Sequence, residues 1–353
     1  MKTLQLFSAK PETIPASASW YIADLAEARG RQGLYMRQVS QRLRALRENA
    51  LIESAVSSNR IEGIEIDQKR VGTIIFGKPL LRDRDEEEVR GYRDALNRIH
   101  ENAANMPISE EAILELHRLA RGEIWDAGKY KKKDGDIIER HPNGRERIRF
   151  KTVAASNAPA YLEDLISLWS RALEERWVHP LIALAAFNLD FLCIHPFRDG
   201  NGRVSRLLLL LQSYHLGYEV GRYISLERLI EQNKERYYET LEQSSQGWHE
   251  GKHDHWPYIN YLLFILKTAY REFESRLDTT ESPRGAKTEL IEAAIQSFPG
   301  EFTLADLKRA CPGVSHDMTR TVLRNLRRTG DVECLGRGPG ARWKRRGNTL
   351  KRG

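Results

Sequence analysis

Between two strongly apolar stretches the chain carries His195-Pro196-Phe197-Arg198-Asp199-Gly200-Asn201-Gly202-Arg203-Val204-Ser205-Arg206. Gly-Asn-Gly at a helix start offers bare backbone N–H groups in a tight turn. With the helix N-terminus this makes an anion site suited to phosphate. Arg203 and Arg206 stand three apart, on one face of the first turns, so two guanidiniums can reach one polyphosphate. Asp199 is a hard oxygen ligand beside that nest and suits Mg²⁺ bridging phosphate oxygens. His195, at the other edge, can accept a proton near neutral pH. A base, a metal ligand, an anion hole and two guanidiniums suit attack of a hydroxyl on a nucleotide phosphate. The plainer alternative, a polar helix–helix turn with a capping Asp, does not call for every one of these types in this order.

The same twelve residues, HPFRDGNGRVSR, resemble the Fic family signature at every defining position. Fic proteins are helical enzymes that mostly transfer AMP from ATP to a Ser, Thr or Tyr hydroxyl of a target protein. The resemblance implies His195 as general base, Asp199 as Mg²⁺ ligand, Gly200, Asn201 and Gly202 as anion hole, and Arg203 and Arg206 as phosphate holders. Phe197 would anchor the loop in the core. The Doc-like kinase branch usually has Lys where this chain has Gly202, so nucleotidyl transfer is favoured over phosphoryl transfer.

A second motif, Ser57-Ser58-Asn59-Arg60-Ile61-Glu62-Gly63, resembles the family's inhibitory helix, (S/T)xxxE(G/N), with Ser58, Glu62 and Gly63 matching. A Glu62 paired with Arg206 would take that guanidinium from the γ-phosphate and leave ATP in a pose unfit for in-line attack. Tyr237-Tyr238 resembles the family's adenine-side tyrosine pair. Some relatives place Asn seven residues after the second Tyr, where this chain has Ser245. The resemblance covers roughly Leu51 to Leu277 and implies ATP and Mg²⁺ as the bound groups. The partner is a target protein or the chain itself. A different nucleotide donor, a nucleotide-sensing DNA-binding regulator, and AMP removal through Glu62 stay open as alternatives.

Other chemistry-bearing residues read more plainly. His249-Glu-Gly-Lys-His253 fits HExxH, but Gly247, Gly251 and Pro257 crowd it, and the zinc-protease pattern needs a helix. Cys193 sits in an apolar run and reads as a core thiol. His215 ends a helix and reads as structural.

The elements that must position the loop are mainly helical. Leu181 to Ile194 and Val204 to Leu216 flank it and are apolar enough to be buried on most sides. Further helices are expected at Glu86 to His100, Ser109 to Glu123, Ala160 to Arg176, Leu226 to Gln243 and Trp256 to Leu277. In residues 1–50, a helical region, Gly30 and Gly33 suggest a break. Asn143-Gly144 between extended flanks signals a small β-hairpin. That hairpin, ending near Arg145 to Thr152, matches the family's flap, which lays a target peptide along its edge by β-augmentation.

The Fic-like part, 51–277, contains the motifs at 58–63 and 195–206. Residues 278–286 are a linker by composition. Beyond it, 287–346 reads as helices at Thr288 to Phe298, Thr303 to Ala310 and Ser315 to Arg328. A hairpin over Asp331 to Lys344 follows, with Gly336, Gly338 and Gly340 at its tip. That describes a winged helix. Residues 285–353 hold 14 Lys and Arg against 7 Asp and Glu, which accounts for the whole net charge of +7. Arg320, Arg324 and Arg327 on the third helix and Arg337 and Arg342 in the wing are the expected contacts to duplex DNA. A basic tail, 347–353, ends the chain.

The overall expectation is a mainly α, Fic-fold helical domain with a small β-hairpin flap, followed by a winged-helix domain. At 353 residues and 41% hydrophobic content, a sizeable core is affordable, and no apolar run is long enough for a membrane span. The start lacks a signal-peptide pattern, and Cys193, Cys311 and Cys334 are scattered and odd in number, so a cytoplasmic home is expected. A homodimer is one open assembly.

Overall fold

The computed structural model describes residues 2–9, 13–38, 40–67, 70–77, 81–140, 146–278, 288, 291–292, 294–295, 298, 300–311, 314–336, 338 and 340–346. The expected linker, the tail after Arg346, Arg337 and the hairpin turn His141 to Arg145 lie outside these residues. The chain divides into one unit of Met1–Gln38 with Leu46–Phe273, and a second of Val39–Ala45 with Glu274–Gly353.

The first unit is built around two helices. α8, Pro180–Ile194, has every residue from Leu181 to Ile194 buried, as its apolar composition requires. Pro180 opens it, and the His179 imidazole accepts from the Leu181 N–H at 3.2 Å. α9, Asn201–His215, follows the signature loop and packs against α8. Around this pair stand α5 (Arg84–Asn102), α6 (Glu110–Arg121) and α7 (Ala158–Glu174). Asp83 and Ser109 cap α5 and α6 through Glu86 N–H and Ala112 N–H.

β1, Ile137–Arg140, and β2, Glu146–Phe150, form an antiparallel pair with Ile138 opposite Ile148. Arg149 lies over the Tyr238 ring at 5.3 Å, and Arg147 pairs with Glu242 at 2.8 Å. These contacts fasten the pair to α11, Lys234–Ser245. The expected helix over Leu226 to Gln243 is two helices, α10 (Leu226–Gln232) and α11, because Asn233 interrupts it. The Asn233 side-chain amide donates to Leu229 O at 2.8 Å and ends α10. The expected break at Gly30 and Gly33 is absent. α2, Ala16–Gln38, runs through both glycines, as a helix with packing neighbours can. α12, Trp256–Asp278, completes the series after α3, Ser40–Ile61, and α4, Val71–Phe76.

α1, Lys2–Ala9, is held from far along the chain. The fully buried Asp190 of α8 accepts from the backbone N–H groups of Thr3 and Leu4, each at 3.1 Å, so it caps the α1 N-terminus. It also accepts from the Thr3 hydroxyl and from Trp248 Nε1, both at 2.6 Å. His253 in turn donates to the Thr3 hydroxyl at 2.9 Å.

In the second unit, Thr288, Ile291, Glu292, Ala294 and Ile295 are helical. Then come β3 (Glu301–Thr303), α13 (Leu304–Ala310), α14 (His316–Thr329), β4 (Val332–Cys334) and β5 (Arg342–Arg345), with sheet order β3-β5-β4. Thr303 and Asp306 form a capping box at α13. Ile291, Phe302, Leu307, Val322, Leu323 and Val332 make its core. Among the described residues no helix is long and apolar enough to cross a membrane.

Replacing Asp190 by Ala strands buried donors on Thr3, Leu4 and Trp248. Denaturant unfolding is expected to show a loss of about 2–4 kcal/mol. A loss under about 0.5 kcal/mol would show that α1 is not docked this way.

Candidate active site

α8 ends where Pro196 begins to act. A residue before proline is disfavoured in the α region. His195 takes the left-handed conformation instead, at φ 53° and ψ 59°. Its Nδ1 lies 3.2 Å from Leu192 O. With a carbonyl as partner, Nδ1 carries the proton, which leaves the lone pair on Nε2. Burial pushes the His195 pKa down to about 4; Lys131 adds to this, while the Leu192 carbonyl, Glu62 and Asp199 oppose it. The ring is therefore neutral at pH 7.

The loop is locked from behind. Phe197 is fully buried, and its ring lies flat on His117 at 3.8 Å between centroids. The His117 Nδ1 accepts from Gly128 N–H at 3.0 Å, so its Nε2–H donates to Asp199 O, also at 3.0 Å. Asn201 accepts from Phe197 N–H at 2.9 Å and donates to Phe197 O at 2.8 Å. The Asn201 side chain thus closes the loop on itself; only its backbone is left for an anion. Gly200 has φ 84°, a conformation that favours glycine. The first helical bond of α9 runs from Val204 N–H to Gly200 O at 2.9 Å, so the N–H groups just before it have no intrahelical acceptor.

Asp199 is half exposed and ringed by cations. Its carboxylate accepts from Arg121 at 2.8 Å, Arg84 at 3.0 Å, Arg203 at 3.4 Å and Gly200 N–H at 2.6 Å. Burial raises its pKa, but Arg203, Arg121, the Gly200 N–H and Arg84 outweigh this and hold it below the usual carboxylate value.

Arg206 faces the other motif. Its guanidinium donates to Ser58 Oγ at 2.9 Å, Ser58 O at 3.0 Å and Glu62 Oε1 at 2.7 Å. Its Nη1 is buried without a partner. A Cβ on Gly202 would stand 2.3 Å from Glu62 Oε1 and 3.2 Å from Arg206 Nη1. The Glu62 carboxylate thus lies directly over the glycine of the expected anion hole. Gly63, at φ 83°, ends α3 just after Glu62, with Ile64 N–H and Glu62 N–H both turned back to Asn59 O.

His195, Asp199, Gly200, Gly202, Arg206, Ser58 and Glu62 are thus brought together. Two expected ligands stand differently. Arg203 is 1% exposed, ion-paired to Glu88 and hydrogen-bonded to Asn59 at 3.3 Å and to Asp199 at 3.4 Å, so it braces the loop. Tyr237 is buried among Tyr258 and Tyr261, and only its neighbour Tyr238 is partly open. The Tyr238 hydroxyl donates to Ile61 O at 3.2 Å, so it touches the Ser58–Gly63 segment. The HExxH segment forms turns, with Gly247 and Gly251 both at positive φ. Its His249 ring stacks on Phe150, while His253 serves Thr3. His215 bonds Ala103 O at 2.9 Å and Cys193 is buried.

Several residues of the site carry no short-range motif. Glu88, fully buried, pairs with Arg121 at 2.6 Å and with Arg203. Arg121 also pairs with Asp126 at 3.2 Å. The signal was periodicity. His117 and Arg121 sit on the same face of α6 as Ile113, Leu116 and Ala120, and polar residues on a core face need partners.

Among the described residues no group of three or more His, Cys, Asp or Glu side chains is set to hold a metal. One ionised carboxylate beside a phosphate site does fit Mg²⁺, which takes one or two carboxylates plus phosphate oxygens and water. Arg84, itself over half exposed, is the Asp199 partner best able to yield to such an ion.

Residues 107–213 match the profile described as the Fic/DOC family. A protein adenylyltransferase Fic from Nematostella vectensis is 26% identical over 271 residues, covering 72% of this chain and 56% of the relative. One from Drosophila ananassae is 29% identical over 172 residues, covering 46% of this chain and 30% of the relative. The chain therefore spans about half or less of these curated relatives. Among solved structures, a Fic family protein from Desulfovibrio desulfuricans G20 aligns over 97% of this chain and 99% of its own, with TM-score 0.61 and 24% identity. A fragment of Fic-1 from C. elegans aligns over 74% of each chain, with TM-score 0.58 and 19% identity. Both show the same helical fold. The profile match falls on the helices and loop described above, so residues 107–213 are similar to the Fic/DOC family domain.

Proposed function

We propose that the chain is a protein adenylyltransferase, moving AMP from ATP to a Ser, Thr or Tyr hydroxyl of a target protein or of itself, and that Glu62 restrains it. The observation that carries this reading is the contact of Glu62 with Arg206 over Gly202, beside a neutral His195. His195 Nε2 takes the proton of the target hydroxyl. The resulting oxygen bonds to the α-phosphorus, the bond from that phosphorus to the bridging oxygen of the β-phosphate breaks, and pyrophosphate leaves. The open N–H groups at the α9 N-terminus face the phosphate oxygens. Arg206, once released, holds the far end of the triphosphate and fixes its line of departure. Asp199 would hold Mg²⁺, which supplies charge neutralisation on the phosphates when bound. Tyr238 is the tyrosine available to the base side. The β1–β2 pair, with Ile138 and Ile148 exposed, is the surface offered to a target strand.

Glu62 opposes this in two ways. It saturates part of Arg206, and its carboxylate repels a phosphate from the space above Gly202. A nucleotide donor other than ATP, and a regulator that only senses nucleotide, are alternatives that the assay below separates.

For the second unit we propose a winged-helix module that binds duplex DNA. Arg320, Arg324 and Arg327 support it: they are exposed and share one face of α14, beside the buried Thr319, Val322 and Leu323. Arg342 adds less, because it already pairs with Glu301 at 3.3 Å.

Transfer of label from α-labelled ATP with Mg²⁺ tests the main reading. Label on protein should rise about tenfold or more in Glu62→Gly and vanish when His195→Ala is added. It should hold steady from pH 7 down to about 6 and, on further acidification, fall only as His195 becomes protonated, near pH 4. Equal rates in parent and Glu62→Gly would remove the restraint. No label from any protein, with UTP, GTP and CTP donors equally silent, would leave the sensing regulator. For the second unit, full-length protein should bind duplex DNA with an affinity that falls with salt, and replacing Arg320, Arg324 and Arg327 by Ala should lower the salt slope by about 3. Absence of any mobility shift at low salt would point to a protein partner.

A further inference from the structure

Lys131 lies in the segment after α6 and is buried, with 6% exposure. Its Nζ donates to Ile194 O at 3.4 Å, and its own backbone N–H donates to Pro196 O at 3.0 Å. These two carbonyls flank His195 on either side. One residue thus grips the Ile194–His195 peptide on one side of the left-handed histidine and the Pro196–Phe197 peptide on the other. Ile194 O also belongs to the carboxyl end of α8, where a cation is favoured by the helix dipole. A third contact runs elsewhere. Lys131 Nζ donates to Thr152 Oγ1 at 2.8 Å, and the Thr152 hydroxyl donates to Gly135 O at 2.6 Å. Gly135 precedes β1 and Thr152 follows β2, so this hydroxyl closes the base of the strand pair.

We propose that Lys131 is a positioning residue that joins the base of the β1–β2 pair to the backbone on both sides of His195, so that the seating of a target strand and the aim of the imidazole are set by one ammonium group. This rests on the adenylyl-transfer reading above. A buried ammonium has strong reason to keep its acceptors, since an unpaired one is costly. Burial brings the Lys131 pKa down to about 8, with Asp134 and Asp136 opposing, so the group remains mostly charged at neutral pH. A neutral side chain of the same length would leave the Ile194 carbonyl and the Thr152 hydroxyl without their donor. The left-handed histidine would then lose its brace on the Ile194 side, while the backbone bond to Pro196 O would persist.

The test uses the full chain in a Glu62→Gly background, with Lys131→Met, Lys131→Arg and the milder Thr152→Val. Three quantities are read: turnover with α-labelled ATP, equilibrium ATP binding, and hydrogen exchange of the amides at 146–152. Lys131→Met is expected to lower turnover about tenfold or more while ATP affinity stays within about twofold, because misplacement of a base acts on rate and not on nucleotide binding. Exchange at 146–152 should quicken in Lys131→Met and Thr152→Val, and Lys131→Arg should recover most of both losses. The proposal is overturned if exchange at 146–152 is unchanged in both Lys131→Met and Thr152→Val. It is equally overturned if turnover and ATP affinity fall in parallel, or if Arg rescues nothing. If Lys131→Met fails to fold, Thr152→Val carries the same two expectations at smaller size. Should the Glu62→Gly parent transfer nothing from any donor, the transfer reading fails by itself. The exchange arm then still decides whether Lys131 ties the strand pair to the loop.

Discussion

A buried guanidinium cannot stand alone, and Arg206 is one. The desolvation of a charge is repaid only by a well-placed anion or a set of hydrogen bonds. Here the anion is Glu62 and the bonds come from Ser58. Burial would pull Arg206 towards neutrality, and Glu62, with Tyr237 and Tyr92, together more than reverse that. The site thus has one buried cation and, on the proposed function, two candidate anions: a carboxylate from its own chain and a phosphate from solution. Both cannot occupy the space above Gly202, where even a methyl group would collide with Glu62. Control by competition for one guanidinium needs no large motion. It needs only that α3 end at the right place, which Gly63 at positive φ arranges.

The same economy appears behind the loop. Glu88 from α5, Arg121 and His117 from α6, and Arg203 from α9 converge on Asp199 and its backbone. Each buried charge has an opposite partner, so the group is geometrically specific, although the Nε groups of Arg121 and Arg203 are left without a hydrogen bond. His117 does double service, stacking on Phe197 and bonding Asp199 O. The loop is therefore not a flexible connection between α8 and α9. The carbonyls of Pro196, Phe197 and Asp199, the buried Phe197 ring and the Asn201 side chain are engaged, which leaves the α9 N-terminus and Nε2 of His195 for the chemistry of the proposed function.

How much of this was legible follows from the range of each interaction. The signature loop is compact and its chemistry reads from residue types and spacing, while the Ser58–Glu62 motif reads only through its resemblance to the family. α8 and α9 read from apolar content, and α14 from its alternation of Val322 and Leu323 with Arg. Asp190 did not read as a cap, because Thr3, in the helix it caps, lies 187 residues earlier. Without that partner α1 is too short to stand in a sequence argument. Asn233 divided a helix through a side-chain bond that only the folded backbone presents. Gly30 and Gly33 misled in the other direction, since tertiary packing outweighs a propensity cost of about 1 kcal/mol each. Arg203 and Arg206 read alike on a helix face, but the fold gives them different anions, Glu88 for the first and Glu62 for the second. Tyr237 reads like Tyr238 until the neighbouring Tyr258 and Tyr261 enclose it.

The competition for Arg206 is tested most directly by calorimetric titration of ATP and of ADP, each with Mg²⁺, into the parent chain and into Glu62→Gly. ADP lacks the terminal phosphate that Arg206 would hold. If Glu62 keeps that guanidinium occupied, the parent should bind the two nucleotides about equally. Glu62→Gly should then gain a preference for ATP of about tenfold, the worth of one charge-assisted pair. The same ratio of ATP to ADP affinity in both proteins would contradict it, because Glu62 would then not stand between Arg206 and the nucleotide.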